Sequence, residues 1–200
     1  MGAAIKGSPQ IAAASPALLS APLDFFLSEH FRQRQFFDCL DRLAAAADLD
    51  RDLAAEVVVF LRLDMALHVL DEEEGLFPLM RLTCRPEDEI DSVLSALSAE
   101  RAGYSRLAGQ VIAGLEAALA AAQPLAAQAG LGEAVTDFAG NERRHLAREN
   151  SVVLPLARLR LKADDLADLS ARMIARRGAT LPGGDERSWD ARPGKRQAFT

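Results

Sequence analysis

The chain has 200 residues and a mass of 21.5 kDa, room for one ordinary domain. Half of its residues are hydrophobic and its mean hydropathy is +0.01, which excludes a disordered polymer and a membrane-embedded one; no stretch approaches the roughly 18 charge-free apolar residues of a span. A formal charge of −6, from 23 basic and 29 acidic residues, argues against a free-standing nucleic-acid binder, and the cluster of Arg172, Arg176 and Arg177 is too small to steer a polyanion alone.

In chain order, residues 1–21 are rich in Ala, Ser and Pro and lack the compact apolar run of a signal peptide. They read as a flexible leader on a cytoplasmic protein. Residues 22–177 are rich in Ala and Leu and poor in β-branched runs, with apolar positions recurring at the helical period. A first helix is expected from about Leu23 to Ala46. A second follows the N-cap Asp50 and reaches about Arg81. Pro86 with Glu87, Asp88 and Glu89 is expected to open a third, which runs to about Ala122. A fourth spans about Gly132 to Leu161, and Asp164 or Asp165 caps a short fifth ending at Arg177–Gly178. Long helices with short connections imply an all-α fold, an antiparallel up-down four-helix bundle with a short extra C-terminal helix. Residues 178–200 are rich in Gly, Pro and charge and read as a disordered tail, where Trp189 is more simply loosely packed than a docking residue. Cys39 and Cys84 lie far apart with no CxxC spacing, so neither a disulfide scaffold nor a zinc ribbon is indicated.

The core-facing stripes carry the chemistry. The first helix aligns Phe26, His30, Phe37 and Leu40, with Gln33 or Arg34 between. The second aligns Leu61, Met65 or Asp64, His68, Glu72, Leu76 and Leu79. The third aligns Ile90, Leu94, Leu97, Arg101, Tyr104, Ala108, Val111 and Leu115. The fourth aligns Val135, Phe138, Glu142, His145, Glu149, Val152 and Leu156. All three histidines thus fall on core faces. His68 with Glu72, and His145 with Glu149, are HxxxE pairs, which a helix stacks on one face. Each pair is followed by a large apolar residue (Phe77, Leu154), a proline (Pro78, Pro155) and a leucine (Leu79, Leu156) at matching offsets, a two-copy repeat in which proline loosens the helix beyond the glutamate.

A lone histidine on an apolar stripe is ordinarily a core residue bonded to a carbonyl. Five ionisable groups at one level are different, because each unpaired buried charge costs on the order of several kcal/mol. A metal relieves that cost. Imidazole and carboxylate without thiolate suit iron, manganese or zinc, and bridging carboxylates inside a bundle favour a di-iron centre.

The segments SEHFRQRQFFDCLDRL, HVLDEEEGLFPLMRL, AERAGYSRL and HLARENSVVLPLARL resemble the four helices of the hemerythrin-like, HHE cation-binding domains, over about residues 22–177. The resemblance implies a non-haem iron centre in which Glu72 and Glu149 bridge, His30 and His68 complete one metal site and His145 serves the other. Relatives store or sense oxygen, handle nitric oxide or repair iron–sulfur centres; the last carry a cysteine-bearing N-terminal region that this sequence lacks. One position departs. The family's third-helix histidine follows an acidic residue, and here Glu100 is followed by Arg101, whose guanidinium stays protonated and cannot ligate. Three outcomes stay open: an asymmetric two-metal centre, one metal with Arg101 replacing the second cation's charge, or a metal-free ion network. Charge counting favours the second. Tyr104, one turn from Arg101, is a candidate to hydrogen-bond a bound oxygen species, and Glu142 is a further neighbour of either the site or its rim.

The expected function is sensing or carriage of O2, NO or redox state by one or two iron ions. An iron oxidase, peroxidase or NO-handling enzyme is one alternative. The other is a metal-free interaction module, with a protein partner on the C-terminal helix and tail. No nucleic-acid or membrane partner is expected, and oligomeric state stays open.

Overall fold

The computed structural model describes residues 11–12 and 14–178. Among them there is no strand, and five long helices account for most of the chain. Helix α1 is Pro22–Ala45. Helix α2 runs unbroken from 51 to 83, α3 is Ile90–Ala121, α4 runs from 131 to 160 and α5 is Ala163–Arg177. Among the described residues no helix is long and apolar enough to cross a membrane.

The starts follow local chemistry. Pro22 opens α1 with its φ already set. The Asp50 side chain accepts from the Leu53 N–H at 3.0 Å and caps α2. The Lys162 N–H donates to Asp165 Oδ2 at 2.8 Å, so Asp165 closes the first turn of α5 from inside the helix. The third start differs from expectation. Pro86–Asp88 forms a separate 3₁₀ turn, and Glu89 takes a left-handed φ of 50° before α3 begins at Ile90. The acidic run serves the turn instead of the helix: Asp88 accepts from the Arg85 N–H at 2.8 Å and from two nitrogens of Arg160, each at 2.7 Å. That bidentate clasp ties the turn to the end of α4.

Helix α4 packs against α1 and α3, and the first turns of α2 pack against α1 and α3. Helix α5 lies against α1, against 66–76 of α2 and against the turn Pro16–Ser20. The apolar core has two parts. One contains Phe36, Phe37, Leu40, Val57, Phe60, Val111, Leu115, Val135 and Phe138. The other contains Phe25, Phe26, Leu76, Phe77, Met80, Leu94, Leu97, Val153 and Leu154. On α1 the two parts lie on either side of His30, and on α4 they lie on either side of Glu149. The buried polar residues therefore form a layer between two apolar halves.

Both glutamates of the HxxxE pairs begin a π-helical turn, Glu72–Leu76 and Glu149–Val153. In each, the residue just before the proline donates its N–H five residues back: Phe77 to Glu72 O, and Leu154 to Glu149 O. Pro78 and Pro155 have no N–H to continue the tighter ladder, so the helix widens there. The extra residue shifts the stripe. Val152, expected inside, is 38% exposed, while Val153 is buried.

Of the segment expected as a flexible leader, residues 14–20 pack: Ala14 and Leu19 are buried, and Leu19 O accepts from Ser170 Oγ of α5 at 2.6 Å. Ile11 is buried as well, with its N–H on Glu56 Oε1 at 2.8 Å. The tail and Trp189 lie outside the described residues.

Candidate metal centre

His30 from α1, His68 and Glu72 from α2, and Glu149 from α4 meet in the polar layer, each at most 2% exposed. One donor atom from each lies within 4.8 Å of the other three. His30 Nε2 stands 3.8 Å from Glu72 Oε1 and 3.6 Å from Glu149 Oε2. His68 Nε2 stands 3.1 Å from Glu72 Oε1. The widened turns present the two carboxylates to this point.

Asn150 fixes the tautomer of His30. Its amide nitrogen donates to Leu146 O at 2.9 Å, so its oxygen accepts, and His30 Nδ1 lies 3.0 Å from that oxygen. Nδ1 therefore carries the proton and Nε2 presents its lone pair to the cluster. Sequence reasoning passed over Asn150; the one signal was a polar side chain directly after a ligand-type glutamate.

His30 Nε2, His68 Nε2 and Glu149 Oε2 are buried without a hydrogen-bond partner. Such orphans are rare in a folded interior and ask for an ion or water. Donors at about 2.1 Å from a tetrahedral cation lie about 3.4 Å apart, a spacing these atoms approach. The residues present fit a divalent metal.

Arg101 fills the neighbouring position. Its Nη2 donates to Glu72 Oε2 at 2.9 Å and to Glu149 Oε1 at 3.4 Å, and lies 2.7 Å from His145 Nε2. Its Nη1 is 3.7 Å from Glu142 Oε2. Glu142 is 4% exposed, so it belongs to the buried layer and not to the rim. His145, the fifth expected ligand, stands outside the four-donor cluster. It faces Arg101 through Nε2, and its Nδ1 is 3.6 Å from Glu100 Oε2.

The charges are strained. Burial works against the Glu72 carboxylate, but the neighbouring His68 and the Arg101 guanidinium hold it well below the usual range. Burial and the neighbouring Glu72 push Glu149 up to about 8. Burial opposes the charge on Arg101, yet Glu72, Glu142 and Glu149 raise it further. Burial and Arg101 lower His145, so its imidazole is neutral and Nε2 accepts from the guanidinium. Glu149 Oε1 is also 2.7 Å from that nitrogen, a contact between two acceptors that only a proton on Glu149 relieves. If Glu149 gave up that proton, it and Glu72 would together face the single guanidinium of Arg101, and the pair would be short of one positive charge.

Tyr104 is half-buried and lies outside the four-donor cluster. It lines a cleft of about 530 Å³ with Leu61, Met65, Val69, Arg101 and Glu142. Its walls come from α2, α3 and α4, with the small residues Ala108 and Gly109 on the α3 side and Arg101 among them.

A family model for the hemerythrin HHE cation-binding domain matches residues 21–157. The chain belongs to that family, whose fold is a helical bundle and whose members bind metal ions. A search of curated proteins found no significant match.

Proposed function

We propose that this chain, as an HHE cation-binding protein, holds one non-haem iron ion with His30, His68, Glu72 and Glu149 and serves to sense or carry O2, NO or redox state. The observation that carries the reading is the set of unpartnered buried atoms, His30 Nε2, His68 Nε2 and Glu149 Oε2, inside one cluster of four donors. Bound there, iron supplies a reversible one-electron couple and affinity for diatomic ligands, while manganese and zinc suit the same donors.

The chain's own residues do the rest. Asn150 holds His30 in the ligating tautomer. Arg101 places a fixed charge where a second cation would otherwise sit against Glu72, Glu149 and His145, so the site is mononuclear. His145 is a hydrogen-bond acceptor for that arginine and becomes a ligand only if the guanidinium leaves. The two apolar halves keep bulk water from the layer, and the cleft beside Arg101 and Tyr104 is the route for a small ligand. The bundle is read as four long helices in antiparallel up-down order, supported by the short connections 46–50, 84–89 and 122–130.

Metal analysis of untagged protein tests the proposal. About one iron per chain supports it. About two irons would mean that Arg101 tunes a dinuclear centre. No iron, with the helical signal unchanged by anaerobic ferrous iron, would leave the layer as a buried ion network in an interaction module.

A further inference from the structure

We infer that the C-terminal helix is a working part of the metal centre: Arg176 and Arg177, the last two residues of α5, position Glu72 by clamping the buried Asp71 beside it. The inference rests on the metal reading above.

Asp71 immediately precedes Glu72 and is 1% exposed. Its Oδ2 is 2.6 Å from Arg177 Nη2 and its Oδ1 is 3.0 Å from Arg176 Nη1. Arg176 also reaches Glu74 Oε2 at 3.3 Å. The Arg177 guanidinium lies over the Phe25 ring at 4.8 Å, and the adjacent Phe26 meets the His68 ring edge-on at 5.7 Å. A second contact is independent of charge. A Cβ added at Gly75, inside the same π turn, would stand 2.8 Å from Leu169 Cδ1 of α5. Helix α5 therefore holds the turn at its first flank and again within it.

Docking α5 does not require this arrangement. Leu169 and Met173 already bury its apolar face, and an apolar trio in place of Asp71, Arg176 and Arg177 would avoid the desolvation of three charges. The clamp makes sense at the residue it grips. A helix turns by about 100° per residue, so moving the extra residue of the π turn one place along would swing the Glu72 carboxylate out of the donor cluster. Fixing Asp71 fixes where the wide turn begins. Coupling of this kind is reciprocal: if α5 holds Glu72 for the metal, the metal holds α5 on the bundle.

The test uses the full chain with Co(II) as probe, read by affinity, by visible ligand-field spectrum and by hydrogen exchange of residues 163–177. The main variant combines Asp71→Leu, Arg176→Met and Arg177→Met, which keeps apolar packing while removing the ion cluster. The expected result is a folded protein with Co(II) affinity lowered about tenfold or more and an altered spectrum, while Co(II) slows exchange in α5 of the unmutated chain. A folded variant with unchanged affinity and spectrum overturns the clamp. If the variant does not fold, exchange in the unmutated chain decides: no Co(II)-dependent protection of α5 overturns it. An unmutated chain that binds no Co(II) at all overturns the metal reading itself, a result distinct from either.

Discussion

The guanidinium of Arg101 donates to His145 at 2.7 Å, through the imidazole nitrogen whose lone pair a metal would take. The same Nη2 also lies within hydrogen-bond reach of Glu72 and Glu149. Three donor atoms from α2 and α4 thus converge on one nitrogen of α3. In the proposed reading the point would be a second coordination position, held here by a group that can neither ligate nor lose its charge.

Replacing that group should restore a second position. Arg101→His is expected to raise bound iron from about one to about two per chain, with His145 drawn into coordination. Metal analysis after anaerobic reconstitution checks the count; an unchanged stoichiometry counts against the substitution of charge for metal.

Asn150 should matter to metal affinity without touching the metal. Asn150→Ala removes the acceptor for His30 Nδ1–H, leaving the ring free to rotate or switch tautomer. Loss of an outer partner of a ligating histidine costs about 10- to 100-fold in affinity. Chelator competition measures it, and thermal melting of the same sample should show a far smaller effect than Phe36→Ala.

Phe36 is fully buried, stacked on Phe60 at 4.7 Å and edge-on to Phe37 and Phe138. It lies in the apolar half away from Asp71 and α5. Phe36→Ala is expected to cost about 3–5 kcal/mol of stability, read by urea unfolding, while iron bound per folded chain stays at the unmutated value.

The Asp88–Arg160 clasp sets an acid dependence. Hydrogen bonds from Arg160 and from the Arg85 N–H lower Asp88 from 3.8 to about 2. A carboxyl depressed in the folded state stabilises fully above its unfolded value and loses that contribution as pH falls through the folded one. Asp88→Asn should therefore melt a few degrees lower at neutral pH, and the gap should close as pH falls from about 4 to about 2. Melting curves of the two proteins across that range give the answer.

The helices and the ligand-type residues were legible in the sequence because both ride on periodicity. His30, His68, Glu72 and Glu149 stood out as polar residues on apolar stripes, and Arg101 as the misfit on a third. The exchange of Val152 for Val153 was not legible, since a π turn inserts a residue into a period that a helical stripe assumes constant. The proline in each repeat was the only hint of it. Pro86 misled because its acidic neighbours look like a helix start, whereas Asp88 is committed to Arg160, which lies 72 residues away in sequence. Asp71 was hidden for the same reason: its partners Arg176 and Arg177 read as the basic end of a helix until the fold brought them to a buried carboxylate. His145 read as a fifth ligand and Glu142 as a neighbour of the site or its rim, and only the position of the Arg101 side chain shows that His145 stands outside the four-donor cluster.

The layer between the two apolar halves has a consequence for how this protein meets its environment. A zinc finger must find its ion before it can fold. Here a covalently attached cation already stands among the carboxylates, and the hydrophobic cores on both sides are complete without an ion. The bundle is therefore expected to fold before it meets a metal, with metal supply setting the occupancy of the layer and not the existence of the fold; circular dichroism of metal-free protein checks this.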